Sequence, residues 1–153
     1  MAKHELREFK EGAPELASLG ADLLNKKIAY LATTKKDGSP RVHPVRPFIG
    51  EGHFFLFIDR KSPKGRDLLR DGRFALHCSV FQTNGPSTEF LISGIASFKD
   101  DPEIREVAFR VVGRDLPDQQ TLFQFSVGRV IVTEYDEEKA PTVRHWSGSR
   151  SPE

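Results

Sequence analysis

The sequence predicts a small antiparallel β-barrel of about six strands flanked by short helices, an α+β chain in which β dominates. Three observations carry this expectation. Short apolar runs follow one another across tight-turn signals, at Asp37-Gly38, Gly50-Glu51-Gly52 and Asn84-Gly85-Pro86. Helical periodicity is confined to a few short stretches that do not alternate with strands, which argues against βαβ units. The 153 residues include 12 Phe, with 37% hydrophobic and 29% charged residues. A single domain of that size hides roughly 68–70% of its unfolded surface and needs no disulfide or metal to fold.

The elements follow in order. Residues 1–11 are charged without a sustained apolar period and are expected to be a mobile lead-in within a single domain spanning 1–153. From Pro14, the residues Leu16, Leu19, Leu23 and Leu24 recur at helical spacing, predicting an amphipathic helix that ends near Asn25. A strand over 28–34 turns at Asp37-Gly38 and returns over 41–49, where Pro44 and Pro47 call for an edge or a bulge. The run His53 to Ile58 is almost wholly apolar, so both of its faces should be covered. Ser62 as N-cap, Pro63 in the first turn and Gly72 as stop predict a short helix. Strands over 73–81 and 88–98 precede a helix over 101–112, whose apolar face is Ile104, Val107, Ala108, Val111 and Val112, with Gly113 ending it. A polar loop from Arg114 to Gln120, a long strand over 123–135 and an extended piece over 142–146 lead to a polar tail at 147–153, also expected to be mobile.

Composition narrows the function classes. A net charge of +1 gives no general attraction to nucleic acid or anionic membrane. The single cysteine, Cys78, excludes an internal disulfide framework and a cysteine-based zinc cluster. No apolar stretch approaches the roughly 18 residues of a membrane span, and the polar N-terminus is unlike a signal peptide. A cytoplasmic protein is the expectation. No Gly-x-Ser-x-Gly elbow or phosphate-binding Gly-x-x-x-x-Gly-Lys-Ser/Thr loop is present, and His4, His43, His53, His77 and His145 lack metal-ligand spacing.

Two segments remain as candidate sites. At the helix starting beside Ser62, a hydroxyl, the Lys64 ammonium, Gly65 and Arg66 surround a turn of unpaired N–H groups, which suits either an anion or simple capping. In the strand Arg41-Val42-His43-Pro44-Val45, alternation puts Arg41, His43 and Val45 on one face, as part of a ligand site or of an edge blunted by proline and charge. Arg60, Lys61, Lys64 and Arg66 are too few for a nucleic-acid groove and suit one bound phosphate. Trp146, the only tryptophan, reads as an interface anchor or as a lid.

In order and spacing over roughly residues 25–100, one set of motifs resembles the pyridoxamine 5′-phosphate oxidase-like, flavin-binding split-barrel family. The set is Leu31-Ala32-Thr33, Asp37-Gly38-Ser39-Pro40, Val42-His43-Pro44-Val45, Phe57-Ile58-Asp59, Ser62-x-Lys64 and Arg73-Phe74-Ala75-Leu76. The resemblance implies a six- to seven-stranded antiparallel split barrel, forming a homodimer that holds FMN in clefts at the subunit interface. It implies an FMN-dependent oxidoreductase acting on a small molecule, and the charge balance and the lack of an apolar span give neither nucleic acid nor membrane as an expected partner. His43, Ser62 and Lys64 would meet the flavin phosphate, with Arg41 and Gly65 beside them. Val42, Pro44, Val45, Phe57, Ile58 and Asp59 would follow the ribityl chain and ring. Glu89 would lie near the ring or be a solvated strand residue, and Trp146 would pack at the interface or close over the partner's flavin. Pro63 stands where the vitamin-B6 oxidases tend to carry a second basic residue, and little chain follows Arg144 to Gly148. Both departures favour a general flavin reductase or stress-type relative over a pyridoxamine phosphate oxidase. A deazaflavin coenzyme, whose acidic tail would call on Arg41 and Arg66, and a non-catalytic flavin- or haem-binding sensor or store are the alternatives.

Overall fold

The structure, a computed structural model, describes residues 2–26, 28–80, 87–113 and 120–148. The expected turn at Asn84-Gly85-Pro86, most of the loop from Arg114, and the tail beyond Gly148 lie outside the described residues. Twelve elements follow in the order α1 (Ala2–Gly12), α2 (Pro14–Lys26), β1 (Ala29–Thr34), β2 (Pro40–Val45), β3 (Phe48–Gly50), β4 (His53–Asp59), α3 (Pro63–Arg70), β5 (Arg73–Val80), β6 (Ser87–Lys99), α4 (Pro102–Val112), β7 (Gln120–Asp136) and β8 (Lys139–Ser147).

All pairings are antiparallel, in the order β2-β1-β5-β6-β7-β4-β3, with β8 also on β7. The 17 residues of β7 pair with β6 along one side and with β4, then β8, along the other. Strands β2 and β3 are consecutive in the chain yet occupy opposite ends of this order. Only Arg46 and Pro47 separate them, so the two sheet edges come within about 11 Å of each other. The sheet therefore curls into a barrel left open at one seam, with Pro47 denying the seam a ladder donor. The continuous return strand expected over 41–49 is corrected to two strands on different edges.

The pleat sorts side chains into two cores. A row His43–Leu31–Leu76–Ile92–Val130–Trp146 crosses six strands on the inner face. From β4, Phe54, Leu56 and Ile58 point into the same interior, while Phe55 and Phe57 pack under α4 with Ala108 and Leu122. That double coverage explains the unbroken apolar run of β4. Buried His53 accepts at Nδ1 from the Gln124 amide at 2.7 Å, which satisfies a polar group inside.

Residues 2–12 are not the mobile lead-in expected from their charge. They form α1, which buries Leu6 and Phe9, one helical turn apart, in the main core beside Leu16 and Leu24 of α2. Two apolar residues in an otherwise charged helix suffice because they meet an open barrel end. The stop of α3 also differs from expectation, because Asp71 is its C-cap. Gly72 instead accepts a hydrogen bond from the Ala96 N–H at 2.7 Å, and a side chain there would run into the Ala96 carbonyl.

Candidate functional site

The entry to α3 is closed by its own atoms. The Ser62 hydroxyl donates to the Asp59 carbonyl at 2.6 Å and accepts from the Gly65 N–H at 3.2 Å. The Asp59 carboxylate accepts from the Lys61 N–H at 2.9 Å. A hydroxyl has one proton to give, so in this arrangement Ser62 is a helix cap with none left for an anion. Gly65 is explained by the same turn, since a Cβ there would sit 2.5 Å from the Asp59 carbonyl. Its absence of a side chain serves the chain's own close approach rather than a ligand's.

Asp67 is the residue that sequence reasoning missed. It is 3% exposed and accepts from the Thr33 hydroxyl at 2.8 Å, Arg41 Nε at 2.8 Å and Arg70 Nη2 at 3.0 Å. Burial pushes its carboxyl up, but the bonds from Arg41, Thr33 and Arg70 outweigh this and leave it below the usual range. Asp67 thereby fixes Arg41 on β2 to α3. On a helix with Arg66 and Arg70 it reads in sequence as a solvated acid, and its partners on β1 and β2 leave no local signal.

His43 and Arg41 share the inner side of edge strand β2, opposite Leu31 and Thr33 of β1. Burial lowers the His43 imidazole below its usual value, and the charges of Lys64 and Arg41 lower it further against the pull of Asp67. The Lys64 and Arg41 charges therefore bear on one place, beside an imidazole held toward its neutral form, against the Asp67 carboxylate that is already bonded. Among the basic residues near this turn, Arg60 Nε donates to the Thr121 hydroxyl at 3.3 Å, and Arg66 binds the Lys61 carbonyl through Nε and Nη2. Only Lys64 of that group acts on His43.

The remaining expected residues are dispersed. Val45 and Ile58 are sealed in the main core, and Phe57 lies under α4 in edge contact with Phe48, at a centroid distance of 6.5 Å. Val42 and Pro44 stand exposed on the outer face of β2. Glu89 is on that outer face too, whereas His43 is on the inner one. Glu89 accepts from Tyr135 Oη at 2.6 Å and from His77 Nε2 at 3.2 Å. The Tyr135 bond chiefly, with help from His77, holds its carboxyl low against burial. Trp146 ends the inner row on β8 and packs on Phe9 at 5.0 Å, with its ring over Gly12. That contact belongs to its own chain, so the structure supplies a packing role that neither reading of the sequence contained. Burial pushes the Cys78 thiol up to about 11, so it is no nucleophile at neutral pH. Among the described residues no group of three or more His, Cys, Asp or Glu is placed to hold a metal ion. No described helix is long and apolar enough to cross a membrane.

A profile of the family described as pyridoxamine 5′-phosphate oxidase matches residues 17–139, and the chain belongs to that family. No curated protein matches the sequence. Solved structures share the fold at low identity. PhzG from Burkholderia lata 383, in complex with tetrahydrophenazine-1-carboxylic acid, is 14% identical with a TM-score of 0.66, covering 93% of this chain and 87% of that one. A NimC/NimA family protein from Clostridium acetobutylicum is 17% identical with a TM-score of 0.62, covering 94% and 98%. A heme binding protein from Mycobacterium smegmatis is 16% identical with a TM-score of 0.61, covering 94% of this chain but 57% of that one. These likenesses concern architecture, and the split barrel expected from the sequence is the observed fold.

Proposed function

We propose that the protein is an FMN-dependent oxidoreductase acting on a small molecule, working as a homodimer with flavin at the subunit interface. The observation that supports this most is the meeting of His43, Lys64 and Arg41 beside the first turn of α3, where positive charge exceeds the single bonded carboxylate. A phosphate dianion would relieve that excess, so the residues fit the anionic end of the cofactor. Lys64 carries the grip, His43 adds a ring donor, and Arg41 supplies charge from a guanidinium that Asp67 holds still. Ser62 keeps the turn in shape. When bound, the flavin ring supplies hydride or electron chemistry. Val45 and Ile58 are not offered to a ligand, so ring contacts would fall to the partly buried Phe57, to Val42, Pro44 and Asp59 at the strand edge and to the partner.

The absorbance spectrum and mass of the chromophore that co-purifies test the reading. Bound FMN supports it, whereas a deazaflavin or haem replaces it with one of the alternatives. Haem is the second reading because two structural neighbours are a heme binding protein and a heme storage protein. Lys64→Ala should weaken FMN by about 1.5–3 kcal/mol, the worth of a charge-assisted contact, and wild-type affinity in that variant removes Lys64 from the site.

A further inference from the structure

A cleft of about 430 Å³ opens between the β1–β2 turn and the flank of α3, within the size range of small-molecule sites. Five cationic side chains line it: Lys35, Lys36, Arg41, Arg66 and Arg70. Against them stand two carboxylates, both already engaged. Asp67 is buried under Thr33, Arg41 and Arg70, and Asp37 accepts from the Ser39 N–H at 3.0 Å and from its hydroxyl at 2.5 Å. Asp67 therefore acts as a brace, holding two guanidinium groups at the wall of the cleft. Lys35, Lys36 and Arg66 come within ion-pair distance of no carboxylate among the described residues, although the Lys35 charge acts on Asp37, and Arg66 keeps Nη1 beyond its bonds to the Lys61 carbonyl. The whole chain is only +1, so this is a local concentration of charge. His43, Lys64 and Ser62 do not line the cleft, which shares Arg41 alone with the flavin-phosphate site proposed above.

We propose that this cleft binds an oligophosphate segment of a small-molecule ligand. Its cations come from separate places, the 35–36 turn, β2 and two positions of α3. A single phosphate would reach few of them, while linked phosphates can engage several at once. Guanidinium groups held by a buried carboxylate suit phosphate oxygens because their forks are already oriented.

Calorimetric titration of the full chain with inorganic tripolyphosphate and, separately, orthophosphate tests this at low salt, where such contacts are strongest. Tripolyphosphate should bind at least about tenfold tighter than orthophosphate, and the double variant Lys35→Ala, Lys36→Ala should weaken it about tenfold. Both lysines sit in the turn after β1, outside the core, and a matched thermal melt checks that the fold is kept. Lys64→Ala should leave tripolyphosphate affinity unchanged. Equal affinity for the two anions, or no effect of the double variant, overturns the proposal. Loss of binding in Lys64→Ala overturns it too, by moving the anion to the His43 site. Chromophore identity is read independently, so failure here leaves the flavin reading standing or falling on its own measurement.

Discussion

Asp67 keeps a full charge while nearly sealed from solvent because donors from β1, β2 and its own helix converge on it. Breaking such a cluster leaves Arg41 facing a desolvated site alone. Because Arg41 retains some exposure, Asp67→Asn should cost about 2–3 kcal/mol, below the range for fully buried pairs. The carboxyl is lower in the folded chain than in the unfolded one, so its stabilising contribution is present above the unfolded value and is lost as pH falls through the folded value. Urea unfolding across the acid range should show that loss in the wild type and a flatter acid limb in Asp67→Asn; identical limbs would refute the assignment. His43 runs in the same direction but in a higher pH window. Its folded value is depressed, so its contribution is present above the ordinary histidine value and declines as pH drops through that value toward the folded one. A bound phosphate must oppose the Lys64 and Arg41 charges, so FMN should raise the His43 value in an imidazole NMR titration. No movement on saturation would place the phosphate elsewhere. The sequence pointed to Arg41, His43 and Lys64 through residue type and strand alternation, but it could not reveal Asp67, whose meaning depends on residues 26 and 34 positions away.

At the scale of elements, what could be read locally was local in cause. Gly113 in the left-handed region ends α4, Ser62 caps α3, and Gly38 at φ 87° turns β1 into β2, all as turn chemistry predicts. What could not be read was tertiary. Helix α1 has too few apolar residues to announce itself, and only the open barrel end beneath Leu6 and Phe9 makes those two enough. Trp146 illustrates the same limit, because its position near a polar tail suggested an interface, while α1 supplies the surface it covers. Trp146→Ala should therefore destabilise the chain by about 3 kcal/mol through loss of packing against Phe9, measured by chemical denaturation. The chromophore content of the folded fraction should stay at the wild-type level. A selective loss of chromophore with stability unchanged would return Trp146 to the cofactor.

For the whole molecule, the outer face of the sheet carries a row that the interior does not need: Pro44–Tyr30–His77–Leu91–Ile131–His145 across six strands. Around it, Val42 is 60%, Val143 58% and Tyr30 53% exposed, and the polar cluster of Glu89, His77 and Tyr135 sits among them. A face mixing large apolar side chains with a bonded polar cluster has the make-up of an interface with a hydrophobic core and polar contacts. A second copy would pair this face with itself in a two-fold arrangement. The wild type should sediment at twice the 17.3 kDa of one chain. Tyr30→Glu combined with Val143→Glu should sediment as a monomer with an unchanged far-UV circular dichroism spectrum, because neither side chain contributes to either core. If flavin is held between subunits, that monomer should also lose its chromophore. A wild-type chain that stays monomeric at high concentration, or a double variant that remains dimeric, would mean that this face is not where two copies meet.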